Sequence, residues 1–386
     1  MQKKGPNFMN KVILIPDSFK GTMSSAVICR IMKKTIQKHY PDCEIISIPV
    51  ADGGEGTVDA FLEALGGEKH IVTVTGPYED MKVEGYWGML PDYTAVIEMA
   101  AAAALPMVGK RKDPSSTTTY GVGEIIIDAA RHGARKIIIG LGGSATNDAA
   151  TGLASACGIT FKDCNGRKFQ PMGKTLKDIA EVDLTTMNPI LRHIPMTVMC
   201  DIDNPFYGPD GAAEVYGPQK GADRAMIDML DEGMKSFAEV LEKTTGIKVQ
   251  ELSGSGAAGG MGGGLNAMFS TPLKRGIETI LDTVGFDELL ADCDFVYTGE
   301  GRIDGQSLRG KAVLGIAERA KRKDVKVLAF VGDIGDDIET AYNKGVTGIF
   351  SINRVAVPYE EAKRRAERDL ELTLDNILRY NESMSC

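Results

Sequence analysis

The chain has no apolar run long enough to cross a membrane. Its longest mainly apolar stretch, residues 95–108, is broken by Glu98 and Pro106, whereas a spanning helix needs about 18 or more consecutive apolar residues. The N-terminus starts with a few basic residues, but its apolar run, 12–15, is too brief for the h-region of a secretion signal. Cysteine is sparse and odd in number. Seven residues (29, 43, 157, 164, 200, 293 and 386) with no C-x-x-C pair exclude a disulfide framework and a zinc knuckle, and they fit a reducing cytoplasm. Positive charge is not in excess either: 44 Lys and Arg against 53 Asp and Glu give a formal charge of −9. That excludes a surface built to neutralise a long nucleic acid, while leaving local basic groups for a small anion. The four histidines (39, 70, 132, 193) lie outside every motif described below, so neither a histidine-based mechanism nor a histidine-activated cysteine is supported.

What is present is an ordinary globular composition, 43% apolar and 25% charged, with 45 glycines in 386 residues. That is about 12% glycine against roughly 7% in an average protein. The length allows two or three domains. Short β-branched runs at 12–15, 45–50 and 71–74 alternate with helical patterns at 24–40 and 57–65, the βαβ rhythm of a parallel sheet. In the first helix Val27, Ile28, Ile31, Met32 and Ile36 form one face, and Arg30, Lys33, Lys34 and Lys38 lie on the other. The rhythm returns late in the chain, with strands predicted at 295–298, 325–331 and 348–352, helices at 311–322 and 336–343, and a terminal helix after Pro358. Between these ends the pattern changes to hairpins, 82–90 with 94–99 around Pro91-Asp92 and 159–162 with 167–170 around Asn165-Gly166. The predicted fold class is α/β: a Rossmann-like parallel-sheet domain from both chain ends (1–78 and 276–386) with an inserted second, mixed α/β domain (79–275).

In an open parallel sheet, ligands gather at the carboxyl ends of the strands, where strand-to-helix loops and helix N-termini meet. Four such loops stand out: PDSFKG (16–21), ADGGEGT (51–57), TGEGRID (298–304) and Gly332-Asp333. Mixed acids and bases suit an anionic substrate that meets a divalent cation, although each single Asp also reads as an N-cap or Asx-turn. A further strand, glycine loop and helix start, 136–157, offers small residues that let backbone N–H groups approach a phosphate; an ordinary tight turn reads equally well. Gly140, Gly142 and Ala145 also fit G-x-G-x-x-A loosely, with Asp163 about 20 residues on, but the hairpin that follows is not a dinucleotide-fold crossover. Residues 254–264 hold seven glycines in eleven positions. Gly256, Gly260 and Gly264 fall at i, i+4 and i+8, which suits close packing against a bare helix face or an anion cradle. GQSLRGKA (305–312) approaches a P-loop, but Ala312 stands where the metal-holding Ser or Thr belongs; Lys311 remains a candidate for neutralising a phosphate. Asp201 and Asp203, two residues apart at a strand end, suit either Mg²⁺ or the turn before Pro205.

Taken together, PDSFKG (16–21), PVADGGEGT (49–57), TTYGVGE (118–124), IGLGGSATND (139–148), CDIDNP (200–205), GPQKGA (217–222), GSGAAGGMGGGL (254–265) and TGEGRIDGQSLRGK (298–311) resemble the bacterial glycerate kinases. The segments span nearly the whole chain; one departure is Ala149-Ala150, where such proteins usually carry two glycines. The resemblance implies transfer of the γ-phosphoryl group of ATP to a hydroxyl of D-glycerate, most often giving 2-phosphoglycerate. It also implies ATP and Mg²⁺ as requirements, and a small-molecule substrate with no nucleic-acid or membrane partner. Phosphoryl transfer asks mainly for positioning and charge neutralisation. On this resemblance Lys20, Asp52 and Asp17 are the expected catalytic set, with Asp52 first and Asp17 second to orient or deprotonate the hydroxyl. Arg302, Ser18 and Glu300 are expected to bind substrate, and Lys20 and Arg302 to pair with its carboxylate or the moving phosphoryl group. Gly142, Gly143, Ser144, Asn147, Gly256, Gly260 and Lys311 are expected around the ATP phosphates, and Asp201 and Asp203, or Glu300, beside Mg²⁺. Two other classes stay open: an NAD-dependent hydroxy-acid dehydrogenase using the Gly140 loop with Asp163, and a non-catalytic nucleotide or metabolite sensor.

Overall fold

The segment KVILIP forms β1 (Lys11–Pro16), five of whose six residues are buried, because it lies inside a five-stranded sheet. The computed structural model describes residues 9–51, 53–305 and 312–383. After β1, Ser24 caps the helix Ser25–His39 by accepting the Val27 N–H at 3.3 Å. That helix lays Ile28, Cys29, Met32 and Ile36 into the core, as its three- and four-residue spacing requires. β2 (Glu44–Ser47) then pairs parallel with β1.

The chain next builds a second unit, Asp52–Gly276. Its main sheet collects β3 (Glu68–Thr75), β4 (Lys82–Met89), β5 (Thr94–Glu98) and β6 (Lys136–Gly140). A small antiparallel sheet follows, β7 (Thr160–Lys162), β8 (Lys168–Phe169) and β9 (Glu181–Asp183), and then β10 (Met196–Met199) and β11 (Leu273–Lys274) complete the main sheet in the order β11-β10-β6-β5-β4-β3. Both predicted hairpins form. Trp87 lies opposite Ile97 in one, and Gly166 supplies the left-handed turn residue (φ 75°) of the other. The parallel half, β5, β6, β10 and β11, points its carboxyl ends one way.

Returning to the first unit, the chain adds β12 (Phe295–Ile303), β13 (Lys326–Ile334) and β14 (Val346–Ser351), and the helix Tyr359–Ser383 packs on Ser25–His39. The order is β2-β1-β12-β13-β14 with every neighbour parallel. Counted within this unit the order is 2-1-3-4-5, a doubly wound arrangement whose topological switch point lies between β1 and β12.

Two expectations need correction. Residues 52–78 belong to the middle unit, Asp52–Gly276, and not to the terminal one, because β3 pairs antiparallel with β4 along its whole length. The segments around Thr298 and Gly332 are not loops. β12 runs on to Ile303 and β13 to Ile334, hydrogen-bonded to each other as far as Ile303 opposite Ile334. Among the described residues no helix is long and apolar enough to cross a membrane.

Candidate active site

At the switch point of the first unit, the chain turns sharply after β1. The Asp17 N–H donates to Gly299 O at 2.8 Å, tying the end of β1 to β12, and Asp17 Oδ1 accepts the Ser18 N–H at 2.6 Å. A tight turn follows in which the Thr22 and Met23 N–H groups both return to Phe19 O, with Gly21 left-handed at φ 72°. Lys20 sits exposed at its tip. A methyl group on Gly301 would stand 3.6 Å from Lys20 N, so the turn lies directly against β12. From β12, Glu300 is buried (5% exposed) and Arg302 is exposed, its guanidinium 3.1 Å from Asp304 and 3.7 Å from Asp333. Asp17, Ser18, Lys20, Glu300 and Arg302 therefore gather where a doubly wound sheet receives its ligand. A lysine and an arginine together with carboxylates at one strand junction suit a small anion bearing a hydroxyl.

The middle unit holds the glycine loop after β6. Its glycines are needed for contact with protein: a methyl on Gly140 would come within 2.3 Å of Gly53 O, and one on Gly142 within 2.5 Å of Gly54 Cα. The Gly142 N–H donates to Gly53 O and the Ala145 N–H to Ala103 O, both at 2.9 Å. Of the expected phosphate-facing residues here, Gly143 alone is exposed, while Ser144 and Asn147 are buried. Three successive side chains carry a buried atom without a hydrogen-bond partner: Thr146 Oγ1, Asn147 Oδ1 and Asp148 Oδ1.

Two charged residues that the sequence reading did not single out are buried in this loop's surroundings. Lys220, 2% exposed, donates to Ser144 Oγ at 2.9 Å and to Thr146 O at 2.7 Å. Burial pushes its amino group down to about 7, against the pull of nearby Asp148. Asp148 Oδ2 accepts the Thr119 N–H (2.7 Å), the Thr119 hydroxyl (2.9 Å) and the Gly152 N–H (3.2 Å). Burial raises its carboxyl pKa, and these donors act in the opposite direction. A third buried charge, Glu98 at the end of β5, accepts the Val58 N–H at 2.6 Å and the Tyr86 hydroxyl at 2.9 Å. A lysine in GPQKGA and an acid in a strand look like surface groups in the sequence; only their distant partners mark them.

The glycine tract resolves in favour of packing. The helix Ala257–Phe269 is interrupted by left-handed Ala258, Gly259 and Gly260, so Gly256, Gly260 and Gly264 do not share one straight helical face. Gly256 abuts Pro205 O, where a methyl would sit at 2.2 Å, and Gly260 is wedged between Met234 and Phe206. Both face protein, not an open anion site. Asp163 closes the β7–β8 hairpin by accepting the N–H groups of Asn165 and Arg167 at 2.9 Å, so it does not act as the ribose-binding acid of a dinucleotide site. Asp52 and Lys311 lie outside the described residues.

The donor set of Asp201 and Asp203 does not fit Mg²⁺. Arg275 donates to both carboxylate oxygens of Asp203 at 2.7 and 2.9 Å, and the Ser253 hydroxyl adds a third bond at 2.6 Å. Ser253 and then Arg275 hold that carboxyl below the usual range. Asp201 Oδ1 accepts the Gly276 N–H at 2.8 Å. A carboxylate already satisfied by a guanidinium is a poor metal ligand. Among the described residues no group of three or more His, Cys, Asp or Glu side chains is arranged to hold a metal ion.

Comparison with known proteins places these features in context. Residues 12–382 match the model of the glycerate kinase family. A glycerate kinase of Halalkalibacterium halodurans is 42% identical over 371 residues, covering 96% of this chain and 97% of that protein. The glycerate 2-kinase of Escherichia coli K12 is 40% identical over 377 residues, 97% of each. The crystal structure of a Salmonella typhimurium LT2 protein assigned as glycerate kinase 2 superimposes with a TM-score of 0.85 at 37% identity, covering 98% of this chain and 99% of that one.

Proposed function

The chain belongs to the glycerate kinase family, an ATP-using kinase of an alcohol group, and from that premise we propose that it phosphorylates D-glycerate at the 2-hydroxyl to give 2-phosphoglycerate. The regiochemistry is supported by similarity to a relative named glycerate 2-kinase. The carrying observation is the cluster at the β1/β12 switch point, with Lys20 and Arg302 beside buried Glu300. Glycerate is a three-carbon anion, and such a pair of cations is what its carboxylate and the moving phosphoryl group require.

In this reading Arg302 pairs with the carboxylate in a planar, two-point fashion and Lys20 supplies a mobile positive charge for the phosphoryl oxygens. Ser18, beside Asp17, donates its hydroxyl to the substrate. Asp52 is assigned to orient or deprotonate the reacting hydroxyl, with Asp17 as the second choice. ATP is taken up as its Mg²⁺ complex, in which phosphate and water oxygens supply most of the metal's ligands. Gly143, Ser144 and their neighbours in the 142–148 loop are assigned to the nucleotide, and Lys311 to its phosphate charge. An ATP-consuming activity also supports a cytoplasmic location.

The test is ADP release by purified protein with ATP, Mg²⁺ and each glycerate enantiomer, against lactate, glycerol and no substrate, followed by ³¹P and ¹H NMR of the product. D-glycerate-dependent ADP release with phosphate on carbon 2 is expected. Release no greater than the no-substrate rate would remove the activity, and a 3-phosphate product would remove the regiochemistry alone.

A further inference from the structure

Lys220 is the one lysine among the buried charged residues of the described chain, and nothing in the proposed chemistry uses it. Its position is dictated locally. It ends the short turn Pro218–Lys220, and the next residue, Gly221, is left-handed (φ 99°) with its Cα side pressed on Lys112, where a methyl would meet Lys112 Cβ at 2.5 Å and O at 2.7 Å. The chain can take no side chain there, so Lys220 is turned inward. Its ammonium bridges Ser144 Oγ and Thr146 O, two points on either side of Ala145, and it faces the charge of Asp148. Asp148 in turn fastens the 117–119 segment through both Thr119 donors and the start of the helix Thr151–Ala156 through Gly152.

A buried amino group held by two specific oxygens adds little net stability compared with well-packed apolar groups of the same size, but it enforces one geometry, because any other leaves it buried without partners. The geometry enforced here is that of residues 144–148, which hold the unpartnered atoms of Thr146, Asn147 and Asp148. We propose that Lys220 is a positioning residue for the nucleotide loop: through Ser144 and Thr146 it holds residues 142–148 in the form that receives ATP, without touching the nucleotide. This rests on the assignment of that loop to the nucleotide.

The experiment reads the loop and the ligand separately. Hydrogen–deuterium exchange of residues 142–148 in the ligand-free protein, and KM for ATP, KM for glycerate and kcat, are measured for Lys220→Met, Lys220→Arg and the double variant Lys220→Met/Asp148→Asn. The double variant removes the unpaired carboxylate and so guards against a failure to fold. Expected in Lys220→Met and in the double variant are faster exchange in the loop and a KM for ATP raised by about ten- to a hundredfold, the loss of a charged hydrogen bond. KM for glycerate should stay within about twofold and Lys220→Arg should recover part of the ATP affinity. Three results overturn the proposal, each for a different reason. Faster exchange with unchanged KM for ATP means that the loop is not the nucleotide loop. Unchanged exchange with lost ATP affinity means that Lys220 touches the nucleotide itself. No change in either means that it positions nothing.

Discussion

The helix Thr57–Leu65 begins after Gly56, which is left-handed (φ 90°) and has no side chain to cap the first turn. Glu98 performs that task from β5. One carboxylate oxygen takes the Val58 N–H at 2.6 Å, the other the Tyr86 hydroxyl at 2.9 Å, and the Gly56 N–H also donates to it. Replacing Glu98 by Ala strands the fully buried Val58 N–H and the half-buried Gly56 N–H and Tyr86 hydroxyl, and removes the negative charge from the positive end of the helix. Unpairing a buried network of charged hydrogen bonds costs about 3–5 kcal/mol. Glu98→Gln keeps an acceptor for Val58, and the Tyr86 hydroxyl can turn to accept from the new amide, so the cost falls to the scale of one cap, about 1–2 kcal/mol. Urea unfolding followed by the emission of Trp87, the single and fully buried tryptophan, measures both. The pH dependence supplies a second signature. Burial raises the folded pKa of Glu98 above its ordinary value, so the folded protein holds an extra proton between the unfolded and folded values. Its contribution to stability is greatest below the unfolded value and declines as pH rises through that window; Glu98→Gln should abolish the decline. An Ala variant within about 0.5 kcal/mol of the parent, the usual effect of a surface change, would refute the surrogate-cap reasoning.

A methyl on Gly264 would lie 2.0 Å from Ala149 O, so Gly264→Ala should cost more than about 3 kcal/mol by overpacking. Gly246→Ala, left-handed but with nothing within 4 Å, should cost only about 1–2 kcal/mol of backbone strain; urea midpoints that rank the two the other way would show that contact is not what the tract provides. The Lys220 amino group titrates at about 7 when folded, far below its ordinary 10.5. Between those values the unfolded chain binds a proton that the folded one has released, so this group makes stability rise with pH across that window, a slope that Lys220→Met should lose in urea titrations from pH 7 to 9.5. Arg302→Gln should lower kcat/KM for glycerate by about a hundredfold or more with little change in melting temperature, because its ion pairs are exposed; an equal loss of stability and activity would count against a direct role.

Much of the first unit was readable because β1, β12 and β13 are short β-branched runs between amphipathic helices, and PDSFKG and TGEGRID mark their carboxyl ends by composition. The extent of β12 was not, since Thr298-Gly-Glu-Gly carries turn residues and only the parallel partner β13 keeps it extended to Ile303. The membership of β3 was hidden for a similar reason. A run such as IVTV suits a parallel or an antiparallel neighbour equally, and its pairing with β4 decides the unit. Glycines 254–264 announced that something approaches closely but not what; the answer, Pro205 and the 146–149 backbone, is remote in sequence. Glu98 and Lys220 were missed because a charge carries no sign of burial until its partners, 40 and 76 residues away, are in place.

The interleaving of the two chain ends in one sheet has a consequence for synthesis. β1 lies between β2 and β12, so the earliest strand to leave the ribosome lacks one neighbour until residues 52–276 have been made. At about 5–20 residues per second that delay is on the order of ten seconds or more. During it the middle unit, contiguous in sequence, has all it needs to fold, while Val12–Ile15, wholly buried in the finished protein, has only the helix Ser25–His39 and β2 for cover. Newborn chains halted before residue 295 should therefore expose a sticky N-terminal segment that chaperones bind, and chains halted after residue 351 should not.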